Sequence, residues 1–381
     1  MLINSKRLLI ILVSLSFLLI GTIGKVQGQD DSVLYEIDEV KDELITRAEY
    51  GKDQSKEGIT ACNFVNYIHL DILKSFHEDA NIPLTYKVFP SLEVFTEEMN
   101  TCDVGTLTSG DKFNSLIAKN QIQKLDYGQI PNITNIPPQL RAAWLESDPE
   151  GYGVPFSFGP MVISVREPII KEVFGRGKVP RDAAFYLEPE NLKKLKDAGY
   201  KIVTTLQGSD VISPIYIALG LDPNSSSLRD LEKVNQKLQS IKPYIDGAVS
   251  GSQIPSLMDE QVALGLFMYD GDVRQAQLRL QDNGNSQGLT YFPPQEGAYV
   301  WFDFHVIPQN SEKTDQAYAY INHFLTEKNA ALFTKASQFS NTVVGVPDVS
   351  LSAAKSLPED IIEDHEAIWN RFMDGIPKED W

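Results

Sequence analysis

The chain has 381 residues, room for two domains of about 100–200 residues each. With 42% hydrophobic and 23% charged residues it reads as globular, since disorder needs fewer apolar side chains and a coiled coil more charge. Lys and Arg number 34 against 52 Asp and Glu, a formal charge of −18, the wrong sign for gathering phosphates electrostatically, so no nucleic-acid partner is expected.

Residues 1–28 read as a signal peptide. Lys6 and Arg7 form its positive end, Leu8 to Ile20 its apolar stretch of 13 residues, and Val26-Gln27-Gly28 its small-residue cleavage site. A bilayer span needs about 20 apolar residues, so an uncleaved membrane anchor is the lesser alternative. Removal leaves 31 Lys and Arg against 52 acids. Residues 29–57 form an acidic N-terminal arm with a helix expected from Leu34 to Tyr50.

From Ile59 short apolar strands alternate with amphipathic helices, the sign of an α/β fold. Strands are predicted at Ile59 to Phe64, Leu84 to Phe89 and Asp103 to Leu107, with a helix over Gly110 to Asn120. A loop-rich stretch carrying Pro131, Pro137, Pro138 and Pro149 precedes a strand from Val154 to Val165. The pattern resumes with a strand at Lys201 to Thr205 and helices at Asp210 to Leu219 and Leu228 to Ile241, the latter opened by Ser227 and Asp230 as a capping pair. Strands at Val262 to Tyr269, Leu289 to Phe292 and Tyr299 to Ile307 and a helix from Glu312 to Leu325 complete the series.

Export permits a disulfide between the two cysteines, Cys62 and Cys102. Cys62 falls late in its strand and Cys102 at the start of another; parallel neighbours would hold them on the order of 10 Å apart, so two buried thiols are expected.

Catalytic signatures are missing. There is no G-x-S-x-G, no G-x-x-x-x-G-K-[ST], no G-x-G-x-x-G and no H-E-x-x-H, and none of His69, His77, His305, His323 and His365 forms an i, i+4 pair. Asp270-Gly271-Asp272 lacks the further ligands of a calcium loop and reads as a strand-to-helix turn. Binding, without catalysis, cofactor or metal, is the class left standing.

Several stretches, in order, resemble the periplasmic spermidine/putrescine-binding proteins of polyamine ABC transporters: Asn63-Phe64-Val65-Asn66-Tyr67, Cys102-Asp103-Val104 leading to Thr108-Ser109, Gln121 to Asp126, Val154-Pro155-Phe156-Ser157-Phe158-Gly159, Ala218-Leu219-Gly220, Tyr269-Asp270-Gly271, and Glu296-Gly297 through Trp301-Phe302-Asp303 to Ile307-Pro308. The resemblance implies a two-lobe periplasmic binding protein fold, each lobe a mostly parallel sheet flanked by helices and joined by crossing hinge segments. Lobe 1 would comprise residues 58–161 and 301–345, lobe 2 residues 162–300 and 346–381. Its partners would be a small cationic amine and the membrane permease of an ABC importer, with the protein itself a monomer in the periplasm. By position the ligand-binding residues would be Phe64, Asn66, Tyr67, Ser109, Gln207, Asp210, Tyr269, Asp270, Trp301, Asp303 and Phe339.

Such a ligand has a physical specification: carboxylates for its ammonium ends and aromatic walls for its methylene chain. Phe64, Tyr67, Tyr269, Trp301 and Phe339 are the expected walls, and Asp210 and Asp303 the anions. Strand alternation sends Trp301 and Asp303 to one face, whereas Asp210 reads equally as a ligand anion or a helix cap. The chain departs from the family at Asn66 and Gln207, where relatives carry Glu and Asp; Asp270 is placed to restore one charge. Open alternatives are capture of another solute, a receptor subunit on the same fold, and an α/β hydrolytic enzyme.

Overall fold

A computed structural model describes residues 57–64, 67–89, 92–175, 177–249, 253–284, 286–344 and 357–379, with the backbone of the strand segments 24–27, 33–38, 44–50 and 351–353. Its strands in chain order are β1 (Gly24–Gln27), β2 (Val33–Asp38), β3 (Leu44–Tyr50), β4 (Ile59–Phe64), β5 (Leu84–Phe89), β6 (Gly105–Thr108), β7 (Val154–Arg166), β8 (Lys201–Thr205), β9 (Gly247–Val249), β10 (Val262–Tyr269), β11 (Leu289–Phe292), β12 (Ala298–Val306), β13 (Ser340–Asn341), β14 (Leu351–Ala353) and β15 (Lys378–Glu379).

The architecture follows from β7. Its first half, through Pro160, pairs antiparallel with β12; from Met161 onward the same strand pairs with β10 and β11. Pro160 stands at this handover, where a residue without an N–H costs the ladder least. On one side lie β4 and β5, parallel, with β6 reached through the parallel bridge Ala61 to Val104 and then joined antiparallel to β12. On the other, β10, β8, β9 and β15 run parallel. Each lobe thus has a parallel core, and β7 and β12 are the antiparallel straps that form the hinge. Helices Leu70–Ala80, Thr314–Phe324 and Glu327–Ser337 pack together beside the first sheet, while Ser209–Ala218, Leu228–Ile241 and Glu359–Met373 pack together beside the second.

The strands and long helices expected from the sequence form within a few residues of their predicted bounds, and Ser227 Oγ accepts from the Asp230 N–H as a cap should. Three expectations are corrected. The arm has no helix over Leu34 to Tyr50: β2 and β3 pair antiparallel, and β3 adds to β5, extending the first sheet. The proline-rich stretch contains a helix, Pro138–Ser147, because proline suits the first helical turn, where its missing N–H would have no partner.

The third concerns the cysteines. Cys62 and Cys102 form a disulfide with their Cα atoms 6.0 Å apart. β6 begins at Gly105, two residues later than expected, and the stretch leading into it runs beside the middle of β4: the Asp103 N–H donates to Thr60 O at 2.8 Å and the Cys62 N–H to Val104 O at 2.9 Å. That register sets the two cysteines side by side rather than at opposite strand ends.

Candidate functional site

Alternation along β12 sends Trp301 and Asp303 toward the space between the lobes and Phe302 and Phe304 into the core, where Phe304 lies 4.8 Å from the Phe113 ring. Asp303, at the hinge, is gripped by hydroxyls from the first lobe: Thr108 Oγ1 donates to its Oδ1 at 2.6 Å, and the Tyr67 hydroxyl donates to Oδ2. Burial outweighs these donors and pushes the carboxyl up to about 6.

The second lobe supplies three more acids. Asp210 lies in the first turn of helix Ser209–Ala218 and accepts from the Tyr269 hydroxyl at 2.5 Å, while its Oδ1 has no hydrogen-bond partner. No side-chain capping bond closes the start of that helix. Burial, with the charges of Asp303 and Asp111 adding, pushes it up to about 7.

Asp270 and Asp272 open helix Asp270–Asp282. Asp272 accepts from the Gln253 N–H at 3.1 Å, and Gln253 in turn accepts from the Tyr269 N–H at 3.0 Å; burial and the neighbouring Asp270 push Asp272 up to about 7. Asp270 forms an ion pair with Arg274, one turn along, yet burial still lifts it to about 6. All four aspartates are nearly sealed, Asp210 at 1%, Asp270 and Asp303 at 3% and Asp272 at 5% exposure. Among the described residues only Asp270 of the four is in an ion pair.

A bulge sets up the end of β10. Its register against β7 shifts between Gly265 and Met268, and Phe267 takes a left-handed φ of 56°, which re-aims Met268 and Tyr269. Tyr269 thereby continues a row of aromatic rings. Centroid separations are 6.0 Å from Phe64 to Tyr67, 5.1 Å to Phe339, 5.5 Å on to Trp301 and 5.7 Å to Tyr269. Burial and the adjoining carboxylates push the Tyr67 and Tyr269 phenols well up, so both stay protonated as donors.

The structure therefore brings together Phe64, Tyr67, Asp210, Tyr269, Asp270, Trp301, Asp303 and Phe339. Asn66 lies outside the described residues. Ser109 is bonded to β12, its hydroxyl accepting from the Phe302 N–H at 3.0 Å and its own N–H donating to Phe302 O at 2.7 Å, and it lines the same groove as Gln207. Gln207 lines a groove of about 190 Å³ that continues from Asp210, walled also by Thr108, Asp111, His365 and Trp369.

Sequence reasoning missed Asp272 and Arg274, and the C-terminal His365 and Trp369. An acid three residues after an aromatic strand end was the only signal for Asp272. In the sequence it reads as part of Asp270-Gly271-Asp272, a strand-to-helix turn that lacks the further ligands of a calcium loop. Among the described residues no three His, Cys, Asp or Glu side chains converge as a metal ion would require.

Two lobes on shared hinge strands, with buried acids beside a row of aromatic rings where the lobes meet, are the architecture of a solute-binding protein. The chain belongs to the family of bacterial extracellular solute-binding proteins, which matches residues 74–360. The putrescine-binding periplasmic protein SpuD of Pseudomonas aeruginosa is 26% identical over 283 residues, covering 73% of this chain and 76% of its own. The putrescine-binding periplasmic protein PotF of Escherichia coli is 26% identical over 268 residues, 69% of this chain and 72% of its own. Among solved structures, the TpPotD lipoprotein of Treponema pallidum superposes with a TM-score of 0.68 at 19% identity, covering 83% of this chain and 99% of its own. The spermidine/putrescine ABC transporter substrate-binding protein PotD of Streptococcus pneumoniae does so with a TM-score of 0.64 at 22% identity, covering 84% and 99%. The fold is thus that of the two-lobe periplasmic binding proteins. Among the described residues no helix is long and apolar enough to cross a membrane.

Proposed function

We propose that this protein captures a small aliphatic amine with two cationic ends, of the putrescine class, and delivers it to the membrane permease of an ABC importer without chemical change. One observation carries this reading: three buried aspartates, Asp210, Asp272 and Asp303, rim the aromatic row, and among the described residues none of the three is in an ion pair with a basic side chain. Buried carboxylates without counterions are costly, and the two cationic ends of such an amine would supply counterions to them. The rings cover the methylene chain and attract its ammonium ends by about 0.5–2 kcal/mol each. The putrescine-binding relatives support the same ligand class.

The protein acts in the periplasm as a monomer, exported by residues 1–28, and takes no nucleic acid. Cleavage after Gly28 would remove β1 and leave β2 as the edge of the first sheet. Calorimetric titration with putrescine tests the ligand assignment. Asp303→Asn should weaken binding by about 2–5 kcal/mol, as expected of truncating one partner of a buried charge pair. Unchanged affinity in a folded variant removes Asp303 from the site.

A further inference from the structure

The Asp270–Arg274 pair differs from the other helical ion pairs of this protein. Lys171 and Glu167 are 45% and 44% exposed, and Lys193 and Asp197 59% and 63%; such pairs are solvated and contribute little. Asp270 is 5% exposed at its side chain and Arg274 31%. The second oxygen of Asp270 and Nε of Arg274 are both buried without partners. That free oxygen lies against Gly159 of the hinge strand, where a Cβ would collide with it and with the Trp301 indole. Asp270 therefore stands at the wall of the aromatic row, one oxygen toward Trp301 and the other toward its own helix.

We propose that Arg274 is a built-in cation that limits how many ammonium groups the cleft accepts, occupying the one carboxylate at the Trp301 wall that a longer polyamine would otherwise use. This rests on the amine-binding reading above and deepens it to specificity. With Asp270 neutralised from within, Asp210, Asp272 and Asp303 are the acids left for the ligand. An ammonium brought to the Trp301 wall must displace the guanidinium or remain beside it. In either case it gains no net charge against its desolvation cost, because the Asp270 oxygen facing Trp301 belongs to a carboxylate already paired with the guanidinium. Arginine suits the task because it stays charged in any surroundings and holds a carboxylate with a planar fork.

The test is a titration of putrescine and spermidine, in one buffer, into the wild type, Arg274→Gln, Arg274→Lys and the double variant Asp270→Asn/Arg274→Gln, with folding followed by circular dichroism. The wild type should bind spermidine no more tightly than putrescine. Arg274→Gln should raise spermidine affinity relative to putrescine by about ten- to a hundredfold, the value of one added charge-assisted hydrogen bond. Arg274→Lys should keep the wild-type ratio, and the double variant should lose the gain. A ratio unchanged in Arg274→Gln, a gain that persists in the double variant, or a wild type that already prefers spermidine overturns the inference and leaves the amine-binding reading standing. A wild type that binds neither amine overturns that reading and the inference with it. Should Arg274→Gln fail to fold, Asp270→Asn decides: the released guanidinium should weaken both amines about tenfold, and unaltered affinities overturn the proposal.

Discussion

At the scale of single residues, the site is a set of acids kept from ionising by burial. Asp210 and Asp272 are pushed up to about 7 and Asp303 to about 6, so below these values the ligand must drive protons off before its ammonium groups find anions. Affinity for putrescine should therefore rise from pH 5 to pH 8, by about tenfold per unit for each acid that must ionise, with protons released on binding near pH 6. Titration calorimetry in buffers of different ionisation enthalpy measures both; affinity flat across that range with no proton release would contradict the arrangement. The unliganded protein carries the opposite sign. A carboxyl raised above its ordinary value contributes stability that is complete below about pH 4 and lost as pH rises through the folded value. His305, pushed down to about 3 by burial, works against this below about pH 6.5, so the contribution is best read at one position. Asp210→Asn should gain about 2–4 kcal/mol over the wild type at pH 8, less at pH 5 and little at pH 4 in urea unfolding. Trp301 and Asp303 were legible in the sequence because strand alternation is local. Asp272 and Arg274 were not, because whether acids in a first helical turn face water or a cleft is decided by what packs above them.

At the scale of elements, β4, β5, β7, β10 and β12 could be read from apolar runs, whereas pairing register could not. The cysteines show why. Their separation depends on Ala61 standing opposite Val104, a relation between segments about forty residues apart that neither segment encodes alone. The bridge ties β4 to the entry of β6, beneath Thr108 and its bond to Asp303. Closing a loop with a sequence separation of 40 restrains the unfolded chain by about 4 kcal/mol in the chain-entropy account. The double variant Cys62→Ala/Cys102→Ala should lose about 2–4 kcal/mol in urea unfolding, and a non-reducing peptide map of the wild type should show the two cysteines linked. A map with both thiols free would refute the β4–β6 register. The arm was misread for a different reason. Tyr35 and Ile37 alternate with Glu36 and Asp38, a period of two that Leu34 and the arm's acidity obscure, and β2 pairs with β3 through a register shift between Glu36 and Ile37.

At the scale of the whole molecule, the cleft is built by bringing the lobes together, so contacts outside the acids should govern binding as strongly as the acids do. Phe339 follows helix Glu327–Ser337 on the first lobe, and its ring lies against Gly271 in the first turn of the second-lobe helix Asp270–Asp282. A side chain at Gly271 would enter the space the Phe339 ring fills. That ring cannot yield cheaply, because it is packed between Tyr67 at 5.1 Å and Trp301 at 5.5 Å, both members of the aromatic row. One helical turn along, Gln275 Nε2 donates to Ser337 O at 2.6 Å, so the same approach also sets an interlobe hydrogen bond. Two-lobe binding proteins close by hinge motion around the ligand, and a group that holds the lobes apart acts on the closed state alone. Gly271→Ala should therefore lower putrescine affinity by about tenfold or more, the effect of roughly 1.4 kcal/mol lost from the closed form. The unliganded melting temperature should move less than the affinity, because Gly271 meets the Phe339 ring where the lobes touch and lies in neither sheet. Calorimetry paired with thermal unfolding separates the two effects. A variant that binds putrescine as tightly as the wild type would show that the Phe339–Gly271 approach plays no part in closure, and one that loses stability and affinity together would place the damage within the second lobe instead.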